Sequence, residues 1–233
     1  MTEVRSSPMA GVAPPTEPAP TTDDRATLIV DHPLAAHRLS GLRDAATDSP
    51  TFRHLVAELS TFVAYEALRD LPTVDRRIDT PVTSGVWSRR VDEMVLLVPV
   101  LRAGLGMVPA IQAVLPATEV AHVGLRRNET TLEADVYLNR LPRDLSGRRV
   151  VICDPMLATG GSLAQVSDLV KERHAASLTV LCLIVSVPGL AYFRTRHPDV
   201  PVACVAVDPE LDDRGFIVPG LGDAGDRLFG PPD

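Results

Sequence analysis

The run Arg149-Val-Val-Ile-Cys-Asp-Pro-Met-Leu-Ala-Thr-Gly-Gly-Ser162 sets the fold class. Residues 150–153 contain no polar side chain, as in a strand covered on both faces. Four apolar residues would also suit a buried helix, and the short length and flanking turn favour the strand. After Gly160-Gly161 the period changes: Leu163, Val166, Leu169 and Val170 recur at three- and four-residue spacing, with Ser167, Asp168, Lys171 and Glu172 between them. That pattern predicts an amphipathic helix whose N-terminus sits on the turn. A helix N-terminus leaves N–H groups unpaired and carries partial positive charge, so strand, glycine turn and helix together suit a phosphate. Thr159 and Ser162 add hydroxyl donors. An ordinary helix cap uses the same residue types.

A second strand-to-glycine turn lies upstream. Residues 94–100 form an apolar run that ends in Leu101-Arg-Ala-Gly-Leu-Gly106, with a helix predicted over 105–115. Two such crevices in one chain imply βαβ units and parallel strands, with ligands beyond the carboxyl ends of the strands. Arg102 then stands where a guanidinium grips a phosphate or pyrophosphate bidentately, or makes a surface ion pair.

Further strands are expected over 27–30, 120–125, 178–187 and 202–207, and helices over 34–44 and 188–196. Ser49-Pro50 reads as a cap followed by proline at the first helical position. Phe52, Leu55, Val56, Leu59, Phe62 and Val63 continue that helix toward Pro72. Residues 73–92 are broken by Pro81 and Gly85 into short strand or loop pieces, with Arg76, Arg77, Arg89 and Arg90 as a solvated face or, for one pair, a contact to a partner subunit. His32 and His37 stand alone and read as structural. The cluster Arg126-Arg-Asn-Glu-Thr130 precedes an alternation of Leu132, Ala134, Val136 and Leu138 with polar residues, a half-exposed strand forming one arm of a hairpin. Residues 208–226 are glycine-rich yet apolar, which predicts an irregular, ordered binding loop whose backbone can read the edge of a flat heterocycle.

Composition narrows the function classes. The chain has 233 residues, enough for one sizeable domain over 26–233. Residues 1–25 carry five prolines (Pro8, Pro14, Pro15, Pro18 and Pro20) and almost no large apolar groups, so a disordered tail is expected there. A net charge of -7 excludes a global basic surface for nucleic acid or an anionic membrane. No apolar run is long enough to span a bilayer, and the N-terminus does not read as a secretory signal. Cys153, Cys182 and Cys204 lie inside apolar runs, which fits reduced core thiols in a cytoplasmic protein.

Four stretches resemble, in order, the motifs of the uracil phosphoribosyltransferase family of the type I phosphoribosyltransferase fold. They are Pro99-Val-Leu-Arg-Ala-Gly-Leu-Gly-Met107, Arg127-Asn-Glu-Thr130, Asp154-Pro-Met-Leu-Ala-Thr-Gly-Gly-Ser162 and Pro219-Gly-Leu-Gly-Asp-Ala-Gly-Asp226. The resemblance covers about 26–233 and implies an α/β fold: an open, mostly parallel sheet flanked by helices, with a β-arm and a C-terminal base-binding loop. It also implies transfer of the 5-phosphoribosyl group of PRPP to N1 of uracil, giving UMP and pyrophosphate. Arg102, Asp154 and Asp223 would be the catalytic residues. Contacts to PRPP would come from Arg102, Arg127, Asp154, Pro155, Met156, Leu157, Ala158, Thr159, Gly160, Gly161, Ser162 and Asp223. Uracil would be read by Ile217, Gly222, Asp223 and Ala224.

Two departures bear on these expectations. Many type I relatives have two adjacent acids where this chain has Asp154-Pro155, a replacement that itself resembles the uracil enzymes. Magnesium is therefore expected to arrive on PRPP, with no metal ligands assigned to the protein. Phe216 stands where the family commonly has tyrosine. Relatives imply a homo-oligomer, dimer or tetramer, and a GTP effector. The competing reading is a regulator that binds PRPP or a nucleobase without turnover. A dinucleotide-binding dehydrogenase would suit the α/β pattern but needs a Gly-x-Gly-x-x-Gly following its strands in the required place, and none stands there.

Overall fold

A computed structural model describes residues 27–127 and 134–231. The expected tail, over 1–25, lies outside the described residues.

The chain begins with β1 (Leu28–Ile29) and α1 (Pro33–Arg43). His32 caps α1, its Nδ1 accepting from the Leu34 N–H at 3.1 Å, so this histidine is structural. Next comes α2 (Ser49–Ala67). Its cap is Asp48 rather than Ser49: the carboxylate accepts from Thr51 N–H at 2.8 Å, and Pro50 falls within the first turn. The helix also stops short of Pro72. Residues 73–92 form one antiparallel hairpin, β2 (Thr73–Ile78) with β3 (Val86–Val91). Among the described residues it pairs with no other strand.

Then follow β4 (Val95–Leu101), a 3-10 turn (Ala103–Gly106), α3 (Val108–Val114), β5 (Glu119–Val120), β6 (Val123–Arg127) and β7 (Ala134–Asn139). The second half runs β8 (Arg149–Cys153), β9 (Met156–Leu157), α4 (Gly161–Lys171), β10 (Ser177–Leu181), β11 (Ile184–Ser186), α5 (Val187–Arg196), β12 (Val202–Cys204) and β13 (Ala206–Asp208). The chain closes with β14 (Glu210–Leu211), β15 (Ile217–Val218) and α6 (Ala224–Phe229). The glycine-rich C-terminal stretch is therefore more regular than its composition predicts: a two-stranded hairpin and a short helix frame it.

The main sheet runs β1-β12-β10-β8-β4-β6-β7, with β5 also on β4, and every pairing is parallel except β6 with β7. Its central strands are buried on both faces, and alternation sends successive residues to opposite cores. Val151 and Cys153 join the core under α1, α2, α3 and α6, while Val150 and Ile152 join the core under α4 and α5. Each such side chain contributes about 1.5–3 kcal/mol of transfer free energy, so this middle layer is the rigid part of the domain.

The runs 178–187 and 202–207, expected as single strands, each break in two. Leu183 and Ile184 both donate to Pro155 O, at 2.9 and 3.1 Å, and Val205 and Ala206 both donate to Leu183 O, at 2.9 and 3.3 Å. Two donors on one carbonyl interrupt the ladder at the same level across three strands. The resumed segments form a second parallel sheet, β13-β11-β9. Cys182 and Leu183 are both fully buried, so hydropathy does not change at the break. This small sheet is the shelf on which the candidate site is built.

Candidate functional site

Three segments meet beyond the carboxyl ends of the parallel strands. The first is the turn after β4. Gly104 lies against the end of β8 so closely that a Cβ there would stand 2.1 Å from Cys153 O. Only glycine allows that approach, and it locks the arginine turn to the phosphate turn. The Leu101–Arg102 peptide is cis.

The second is the turn from Asp154 to α4. Asp154 Oδ1 accepts from the Met156 N–H at 3.3 Å. Burial raises the pKa of its carboxyl to about 7, helped by the nearby negative charge of Asp223 and opposed by the Met156 hydrogen bond. Pro155 and Leu157 are buried and shape the turn from below, whereas Thr159 is exposed and Ser162 half-buried at the helix start. Gly160 is the helix cap and makes no side-chain cap bond, leaving the N–H groups of the first turn available. The turn is anchored from behind, because Ser186 Oγ donates to Ala158 O at 2.6 Å while accepting from Gly189 N–H at 2.9 Å.

The third segment is residues 208–226. Asp212 Oδ1 accepts from the N–H groups of Arg214, at 3.0 Å, and Phe216, at 2.8 Å, and these bonds hold its pKa below the usual carboxylate value. Ile217 and Ala224 are buried, whereas Gly222 and Asp223 are exposed. Asp223 caps α6 by accepting from Asp226 N–H at 2.9 Å.

A cleft of about 910 Å³ joins the second and third segments, lined among others by Met156, Ala158, Thr159, Gly161, Ser162, Ile217 and Asp223. Seven of the residues singled out in the sequence thus line one cleft. Arg126, Arg196 and Arg214 also line it, and Arg196 pairs with Asp168 at 2.5 Å. Phe216 lines it with its ring under the Arg214 guanidinium, 5.1 Å from the ring centroid. Arg102 stands beside the cleft, its Nη2 held by Asp226 Oδ1 at 2.8 Å. Arg127 ends β6, and its side chain and residues 128–133 lie outside the described residues, which removes most of the Arg127–Thr130 motif from view. No group of three or more His, Cys, Asp or Glu gathers among the described residues to hold a metal.

The terminal loop is held by residues that no local pattern marked. Arg43 of α1 binds Asp208 and Gly220 O, and Arg227 donates to the carbonyls of Leu42, Leu221 and Asp44. All of these partners but Leu221 are distant in sequence, so periodicity carries no sign of them.

Residues 29–231 match the family model of uracil phosphoribosyltransferase. Relatives named uracil phosphoribosyltransferase include one from Kineococcus radiotolerans, 52% identical over 205 residues, covering 87% of this chain and 97% of the relative. Another, from Streptococcus pyogenes, is 45% identical over 203 residues with the same coverage of 87% and 97%. A solved protein structure from Aquifex aeolicus superposes with a TM-score of 0.83 at 34% identity, over 88% of this chain and 98% of that one.

Proposed function

Since the chain belongs to the uracil phosphoribosyltransferase family, we propose that it transfers the 5-phosphoribosyl group of PRPP to N1 of uracil, forming UMP and pyrophosphate in pyrimidine salvage. The observation that carries the reading is one cleft lined both by the turn from Met156 to Ser162 and by the loop bearing Ile217 and Asp223. One wall offers free helix N–H groups and hydroxyls to a phosphate, and the opposite wall offers backbone groups to a base.

On this reading Asp154–Ser162 holds the ribose and its 5-phosphate, with Asp154 on the ribose hydroxyls. Arg102 and Arg127 neutralise the pyrophosphate, Ile217, Gly222 and Ala224 read uracil, and Asp223 contacts PRPP. The bond from ribose C1 to pyrophosphate breaks with its electron pair on the leaving oxygen, and N1 forms the new bond to C1. N1 gives up its proton, which the released pyrophosphate carries at neutral pH. Positive charge builds at C1 and negative charge on the leaving group, so positioning and electrostatic stabilisation supply the catalysis. Magnesium accompanies the pyrophosphate of PRPP and adds to that neutralisation.

The same reading treats 26–233 as one catalytic domain working in the cytoplasm, in keeping with three free buried cysteines. It is a homo-oligomer, which the exposed Val74, Ile78, Val82 and Trp87 on the β2–β3 hairpin and its connecting turn support. GTP is carried as a candidate effector. The test is to mix the purified chain with PRPP, magnesium and each nucleobase, with and without GTP, and follow nucleotide formation. UMP formed from uracil alone is the expected result. Binding of PRPP or uracil with no nucleotide under any condition would establish the regulator instead.

A further inference from the structure

Asp226 lies where two of the proposed catalytic residues meet. Its Oδ1 accepts from Arg102 Nη2 at 2.8 Å, and its own N–H donates to Asp223 Oδ1 at 2.9 Å. Arg102 Nη1 reaches Gly230 O at 3.4 Å, so the guanidinium lies across α6. Gly225 makes room for it: a Cβ there would stand 3.2 Å from Asp223 Oδ1 and 3.5 Å from Arg102 Nη2. The turn and the helix also touch a second time, because a Cβ on Gly106 would meet Leu228 Cδ1 at 2.9 Å. The turn carrying Arg102 and the helix that follows the base loop are thus joined at two points.

Resting on the function proposed above, we infer that Asp226 is a positioning residue: it sets Arg102 for the leaving pyrophosphate and ties that arginine to the base loop. Arg102 and Asp226 are 46% and 38% exposed, so their ion pair adds little to stability in water. What it does is order a long side chain. An arginine has four flexible bonds to fix before its fork can meet a phosphate, and Asp226 fixes them in advance while leaving the remaining N–H donors for the ligand. The carboxylate also opposes an incoming anion. Screening weakens that repulsion at an exposed site, so ordering is the larger effect.

The two effects predict opposite results when the side chain is removed. Inorganic pyrophosphate with magnesium is titrated calorimetrically into the full chain as wild type, Asp226→Ala, Asp226→Asn, Arg102→Ala and the Arg102→Ala/Asp226→Ala double variant, alongside steady-state UMP formation. Asp226→Ala is expected to weaken pyrophosphate binding by about tenfold and to raise the KM for PRPP, with the KM for uracil within about twofold. Asp226→Asn keeps an acceptor without the charge and is expected to restore binding to within about threefold of wild type. In the Arg102→Ala background, loss of Asp226 is expected to add nothing.

Unchanged or tighter binding by Asp226→Ala would overturn the inference, as would its full effect persisting without Arg102. A melting curve checks each variant, and Asp226→Ser replaces Asp226→Ala if the latter is unfolded at the assay temperature. Pyrophosphate binding with no UMP from wild type would sink the enzyme reading and leave Asp226 judged on binding. Wild-type turnover with an indifferent Asp226→Ala would do the reverse, and no wild-type pyrophosphate binding would remove the inference about Asp226.

Discussion

Arg43 and Asp208 form a bidentate ion pair, with Nη2 to Oδ1 at 2.6 Å and Nη1 to Oδ2 at 2.8 Å, and both residues bind Gly220. Arg43 Nη1 donates to Gly220 O at 2.8 Å, and Gly220 N–H donates to Asp208 Oδ2 at 3.0 Å. Gly220 has φ +62, and a Cβ there would stand 2.0 Å from Ile217 O. The pair therefore fixes both peptide faces of a tightly turned glycine between Ile217 and Gly222, two of the proposed uracil readers.

Asp208→Asn should separate the two roles of this pair. Removing one charge from a buried pair costs about 3–5 kcal/mol, and partial exposure of Arg43 lowers the expected loss to about 2–3 kcal/mol. Thermal unfolding should shift down by several degrees. In steady state the KM for uracil should rise at least about fivefold more than the KM for PRPP, because the loosened peptide sits between two residues proposed to read the base. Equal changes in both KM values would show that the clamp serves stability alone.

Asp154 gives a pH signature. Its pKa, raised to about 7 mainly by burial, means that the folded chain holds this proton more tightly than the unfolded chain does. The sign follows: stability from this group is greatest at low pH and is lost as pH rises from about 4 toward 7. Ribose hydroxyls prefer the ionised carboxylate as acceptor, so PRPP affinity should move the other way and rise through pH 7. A titration of Kd against pH checks it. Asp154→Asn should flatten that limb, and an unchanged profile in the variant would assign the titration to another group.

Much of this site was legible in the sequence because its chemistry is local. The Asp154–Ser162 turn combines strand, glycines and helix within one short run, so period and composition both mark it. The strand breaks were hidden for a physical reason: Cys182-Leu183 and Val205 are buried on either side of the break, and an apolar run has no period to lose. The cap at Asp48 rather than Ser49 escaped because both residue types cap helices and the sequence offers both in succession. Arg43, Arg227 and Asp226 act on partners brought near only by the fold, and Asp226 sat inside a quoted motif without its partner, Arg102, being visible.

The three cysteines should be chemically silent in the folded chain. Cys153, Cys182 and Cys204 are free and buried, and burial pushes all three thiols up, Cys204 to about 12. The thiolate is the reactive form, so at pH 8 almost none is present or reachable. A disulfide reagent that reports released thiolate should find no reactive group in native protein and three after denaturation. Rapid native labelling of even one would contradict the packing of the central strands.

Gly104→Ala tests whether the arginine turn and the phosphate turn are one unit. The added methyl would stand 2.1 Å from Cys153 O, a backbone atom at the end of a strand paired on both sides, so the strand cannot yield and the turn must. Overpacking of this kind costs about 1–3 kcal/mol, which should lower the melting temperature by several degrees. The displaced turn carries Arg102 away from the pyrophosphate, and a misplacement of about 1 Å near a reacting group can cost a factor of about a hundred. The kcat/KM for PRPP should therefore fall much further than the stability loss alone would require at a temperature where the variant is still folded. Full activity in a folded Gly104→Ala variant would show that the turn moves without taking Arg102 with it.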